Sequence, residues 1–169
     1  MKHLNTLAFC GALLGAMSTP AWAETTGPNG ETATASSLVT VSDAQAETLK
    51  AGGHSAALLW HDQSDFVNAV TAGASDEFTR LGIKVIATTS AGFDAAKQRS
   101  DIETALIKQP SIILSLPLDP VTSAAAFEEA KENGISLSFL SNLPAGYEHP
   151  ADYAAIVTDD LFQMGKQAA

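Results

Sequence analysis

The chain has 169 residues, 46% hydrophobic and 17% charged, with 19 acidic side chains against 9 basic ones. That length and apolar fraction suit one domain with a real core and exclude a mostly disordered chain. A net charge of −10 with no basic cluster excludes nucleic acid as a partner, because phosphate binding draws on Lys and Arg.

Residues 1–23 read as a cleaved signal peptide. Met1-Lys2-His3 is a short basic start, Leu4 to Met17 is an apolar run too short to span a membrane, and Ala21-Trp22-Ala23 supplies a small-x-small cleavage site. A lipid-attachment reading of Leu7-Ala8-Phe9-Cys10 fails on the bulky Phe9 and the early position. Cys10 is the single cysteine and leaves with the peptide, so residues 24–169 can form no disulfide, zinc–thiolate site or thiol nucleophile. The expected location is the periplasm.

Residues 24–53 read as a flexible N-terminal segment. Glu24 to Ser37 lacks large apolar residues, and a short helix is expected around Asp43 to Lys50, stopped by Gly52-Gly53. A regular pattern follows. Ser55 to Trp60 is an apolar strand, and Val67, Val70, Ala74, Phe78 and Leu81 recur at helical spacing up to Gly82, a left-handed stop. Lys84 to Thr88 is the second strand. Asp94 caps a second helix running to about Lys108, and Pro110 ends it. Ser111 to Leu116 is the third strand. Asp119-Pro120 reads as a cap with proline at the first helical position, and that helix ends at Asn133-Gly134. Ile135 to Leu140 and Ala154 to Thr158 complete five strands, and a last helix starts near Asp160.

Strands that are apolar runs are buried on both faces, the mark of a parallel sheet. Strand–helix–strand units at this spacing, joined by right-handed crossovers, predict a doubly wound five-stranded α/β domain with helices on both faces. Residues 54–158 are expected to form it.

Ligands of such sheets bind outside the carboxyl ends of the strands. That rim holds His61, Asp62, Gln63, Asp65 and Phe66 after strand one, and Gly92-Phe93-Asp94 after strand two. Asp119 follows strand three, Ser141 and Asn142 follow strand four, and Asp159 follows strand five. Short polar side chains beside phenyl rings suit a sugar or polyol, whose hydroxyls seek carboxylates and amides while its C–H face seeks a flat ring. Several of these residues have a plainer use. Asp94 and Asp119 fit helix caps, Ser64 or Asp65 fits the cap of helix one with Phe66 packing behind it, and Trp60 fits the core. His54 and His149 carry no role. Enzyme motifs are absent: Gly53-His54-Ser55 precedes a strand where a nucleophile elbow would follow one, and no phosphate loop is present. His61-Asp62 alone is too few ligands for a metal, so neither a metal nor a cofactor is expected.

With Asp65-Phe66 opening helix one, Leu116-Pro117-Leu118-Asp119-Pro120 after strand three and Val157-Thr158-Asp159-Asp160 with Gly165 after strand five, the chain resembles the type I periplasmic sugar-binding proteins, solute receptors of ABC transporters. The resemblance runs from about Ser55 to Ala169. It implies a monomeric two-lobed clamp of roughly twice this size, of which this would be the N-terminal portion, with residues 159–169 crossing into a second lobe. It implies ligand contacts from His61, Asp62 and Gln63, with Phe66 stacking and Asp159 at the hinge. Ser141-Asn142 stands where family members often carry an Asp-Arg clamp. The implied role is capture of a sugar or polyol for an ABC permease in the inner membrane. Presentation of a ligand to a sensor kinase or chemoreceptor is the alternative, since one fold serves both; an exported hydrolase is the third and has no motif behind it.

Overall fold

The computed structural model describes residues 26–169, so the predicted signal peptide lies outside the described residues. The elements are α1 (Asp43–Gly52), β1 (Ser55–Trp60), α2 (Asp65–Arg80), β2 (Lys84–Ser90), α3 (Ala95–Leu106), β3 (Ile112–Ser115), α4 (Ala124–Glu132), β4 (Ser136–Leu140), β5 (Ala155–Val157) and α5 (Leu161–Ala168). All four strand pairings are parallel, in the order β2-β1-β3-β4-β5. This is the doubly wound α/β sheet expected from the sequence. The order reverses between β1 and β3, which opens a crevice at their carboxyl ends.

The two faces are packed differently. Under α3 and α4, Leu59, Ile102, Ile113, Phe127, Leu137 and Phe139 form a closed core. Under α2 a second core joins Leu58, Trp60, Val67 and Leu116, with Val70, Ala74 and Phe78 against it. β1 reads as predicted, with Ala56 to Trp60 all buried. The edge strand β2 carries a bulge: Ala56 pairs with Val85 but Ala57 pairs with Ala87. The inserted Ile86 exchanges the faces of everything beyond it. Thr88 and Ser90, opposite Leu58 and Trp60, therefore point to the α2 side.

Several local signals act as read. Ser64 caps α2 by accepting from the Val67 amide, and Asp94 caps α3 by accepting from Lys97. Gly82 follows α2 at φ 70°. It also lies against α1, where an added Cβ would sit 3.0 Å from the Lys50 Cα. Only glycine meets both demands.

Two readings need correction. The helix expected to start at Asp119-Pro120 begins at Ala124. Asp119 instead closes a turn: its carboxylate accepts from the Thr122 amide at 2.6 Å and its carbonyl from the Ser123 hydroxyl at 2.8 Å. Proline after Asp serves a turn as well as a helix start, so the dipeptide does not separate the two. Within the 24–53 segment read as flexible, α1 is the short helix expected around Asp43 to Lys50, and it is docked. A capping box of Ser42 and Gln45 starts it, Ala46 is 3% exposed against Ala56, Leu81 and Ile83, and upstream the Asn29 amide donates to the Tyr147 carbonyl.

Candidate functional site

The loops after the five strands share one end of the sheet. His61 follows β1, and two backbone hydrogen bonds tie the neighbouring turn after β2 to it: Ala91 N–H donates to Trp60 O at 3.0 Å and Phe93 N–H to His61 O at 2.8 Å. The His61 and Phe93 rings meet edge-on, with centroids 5.4 Å apart and planes at 79°. His61 Nδ1 is buried and has no hydrogen-bond partner among the described residues. Phe66, in the first turn of α2, is 49% exposed, so it does not pack behind the helix cap. Asp65 opens α2, where a carboxylate complements the helix dipole while Ser64 does the capping. Asp62 and Gln63 line a cavity of about 250 Å³ with Trp60, Asn68, Thr71 and Ser90 among its walls. Trp60 itself is 2% exposed, a core residue as read.

In the middle of the rim the chain is braced from inside. Gln98 of α3 is 1% exposed. Its Nε2 donates to Leu116 O and its Oε1 accepts from Leu118 N–H, both at 2.8 Å. Asn142 Nδ2 donates to Pro117 O at 3.0 Å from the other side. The loop after β3 is thus held by two amides. Asn142 spends one of its two side-chain N–H groups on this brace. Ser141 sits at φ 60°, and its N–H donates to Val157 O. The Asp119 carboxyl is held below the usual range, first by the hydrogen bond from the Thr122 hydroxyl and then by the Thr122 amide. Asp159 is exposed between β5 and α5.

The structure therefore brings His61, Asp62, Gln63, Asp65 and Phe66 to one sector of the rim. Ser141, Asn142 and Asp119 stand in the next, and Asp159 stands beyond them. Gln98 escaped the sequence reading. Its signal was the spacing: Gln98, Ile102, Ala105 and Leu106 share one helical face, so an amide lay on an otherwise apolar stripe. A carboxylate-rich rim disfavours anions. Among the described residues no group of three metal-ligating side chains comes together. No helix among them is long and apolar enough to cross a membrane. A larger hollow, about 720 Å³, opens at the opposite end of the sheet between Leu49, His54, Leu106, Pro110, Ile112 and Ile135. It lies outside the amino ends of the strands, away from the crevice.

Residues 56–169 match the model of a family described as a periplasmic binding protein domain. No curated protein matches the chain. Among solved structures it is similar to an ABC transporter solute binding protein from Clostridium phytofermentans with bound β-D-glucose, at 16% identity and a TM-score of 0.58 over 67% of this chain and 34% of that one. The Caulobacter myo-inositol binding protein bound to myo-inositol is similar at 23% identity and a TM-score of 0.56, over 68% and 38%. The fructose-binding periplasmic domain of a hybrid two-component system is similar at 16% identity and a TM-score of 0.58, over 68% and 37%. At these identities the likeness is one of fold. The chain spans about a third of the length of the solved structures it matches.

Proposed function

From a chain that belongs to the periplasmic binding protein domain family, with the α/β lobe fold of type I members, we propose an exported solute receptor. In this reading it captures a neutral sugar or polyol in the periplasm and delivers it to an ABC permease of the inner membrane. The carrying observation is the rim. The Asp62 carboxylate and the Gln63 and Asn142 amides share the carboxyl ends of a parallel sheet with a half-exposed phenyl ring, Phe66. His61, Asp62, Gln63, Asp65, Asp119, Ser141 and Asn142 supply polar contacts, Phe66 covers the C–H face, and Asp159 marks where the chain leaves the lobe toward a second one that closes the other side. The role is binding without turnover.

A second reading has its own support, since one similar structure is a periplasmic domain of a two-component system. There the same capture would inform a sensor. The ligand site is common to both, and only the membrane partner separates them.

Trp60 sits under the rim and is the only tryptophan outside residues 1–23. Titrating its fluorescence with pentoses, hexoses and polyols tests the capture step. A saturable change with one class supports the receptor and identifies its ligand. A folded protein that responds to none of them, and shows no heat of binding by calorimetry, overturns it. Co-purification with a permease or with a sensor then assigns the partner.

A further inference from the structure

The turn that joins β2 to α3 is built against its own local preferences. Ala91, Gly92, Phe93 and Asp94 close with Asp94 N–H donating to Ala91 O at 3.2 Å, and both central residues lie in the left-handed region at φ 61°. That arrangement selects glycine or asparagine at its centre. Gly92 obeys. Phe93 does not: a bulky side chain with positive φ is a genuine outlier and is unfavourable in itself. Nor does the ring recover that cost by burial, since Phe93 is 63% exposed. Its contact inside the protein is the edge-on meeting with His61, and the histidine keeps a buried Nδ1 without a partner among the described residues. A strained backbone that presents an apolar ring to solvent beside a rim histidine is a device for something that arrives from outside.

Building on the receptor reading above, we propose that Phe93 is a ligand-covering residue of the rim, braced by His61, and that it biases the site toward ring-closed saccharides and cyclitols. A pyranose or cyclitol offers a continuous face of C–H groups that a phenyl ring can cover. An open-chain polyol offers the same hydroxyls but no such face. The β2–α3 turn then adds a second ring to Phe66 on the β1–α2 side, so apolar cover reaches the site from two loops.

The test uses saturation-transfer difference NMR on the full chain, which detects weak binding. The probes are D-glucose, myo-inositol and D-ribose as rings, with sorbitol and glycerol as open chains. The wild type is expected to favour rings, with saturation concentrated on their C–H protons. Phe93→Gly relieves the backbone strain, so its Tm should rise by a few degrees while its affinity for rings falls about tenfold and the preference over sorbitol disappears. Phe93→Trp should restore ring binding, and Phe93→Asn serves as a second strain-free variant. Ring binding by Phe93→Gly and Phe93→Asn within twofold of wild type overturns the role of Phe93 and leaves the receptor reading standing. Equal binding of sorbitol and glucose by the wild type overturns the ring preference. A wild type that binds none of the five overturns the receptor reading, and the proposal with it.

Discussion

Two loop regions of this lobe behave in opposite ways. Between β4 and β5, the one strand-to-strand connection among the described residues that holds no helix, the aromatic rings beyond Asn142 turn inward. Tyr147 and Tyr153 pack edge-on against Phe139 with centroids 6.1 and 6.0 Å away, and Lys131 ties Asp152 at 2.7 Å and Glu128 at 2.8 Å while lying over the Tyr147 ring. The short segments after β1 and β2 instead leave Phe66 and Phe93 exposed and His61 Nδ1 without a partner among the described residues. What separates the two regions is whether the side chains spend their bonding capacity inside the molecule.

Removing the anchor of the inward loop should give the largest effect on stability. Phe139 is fully buried, with Phe127 5.1 Å away and both tyrosines on it. Phe139→Ala is expected to cost about 3–5 kcal/mol in urea unfolding, because the cavity cannot refill from three aromatic neighbours. A loss below about 1 kcal/mol would mean that the loop does not depend on this core. Next comes the brace between the regions. Gln98→Leu keeps the volume but takes the partners from the buried Leu116 O and the part-buried Leu118 N–H, a cost of about 1–3 kcal/mol. Hydrogen exchange at the Leu118 amide should accelerate ahead of exchange in β3; unchanged exchange there would show that the loop holds itself.

The ion pair gives a pH signature. The Asp152 carboxyl is lowered, first by its hydrogen bond from Lys131 and then by the Glu148 amide, so its stabilisation is present above the unfolded carboxyl value of about 3.9 and is lost as pH falls through the lowered folded value. Lys131 is raised, chiefly by Asp152 and then Glu128, so its share is complete below the unfolded lysine value of about 10.4 and disappears only as pH climbs through the raised folded value. Lys131→Met should therefore flatten the acid limb of the stability profile. These groups are solvent-accessible, so the change should shrink in high salt. A mutant whose acid limb keeps the wild-type slope would show the pair to be ornamental.

Much of the lobe was legible because its signals are local. Apolar runs named β1 and β3, and the Ser64 and Asp94 caps and the Gly82 stop act through neighbours within a few residues. Asp119-Pro120 misled because its chemistry fits a turn and a helix start alike. α1 docks through Ala46, and no local pattern says that a short helix has partners as far along the chain as Leu81 and Ile83. The site divides the same way. That His61 to Phe66 would share a rim sector follows from topology, whereas the bracing by Gln98 and Asn142 needs strands brought together. Phe93 was placed on the rim by its position after β2, but its strain was not legible: Gly92 before it accounts for a turn, and nothing in the letters says that the phenylalanine also bends left.

The smallest expected effect on stability tests the outward region. Phe66→Ala removes a ring that is half exposed in the first turn of α2, where Ser64 supplies the cap and Val67 the buried contact. Its stability should stay within about 0.5 kcal/mol of wild type, as for surface changes away from special features. The same substitution should weaken saccharide binding severalfold, because cover over the C–H face is lost while the hydroxyl contacts of Asp62 and Gln63 remain. Phe139→Ala should do the reverse where the mutant is still folded, lowering stability and sparing affinity. If Phe66→Ala destabilises as a core change does, the ring belongs to the fold, and the contrast between inward and outward loops fails at the residue on which it most depends.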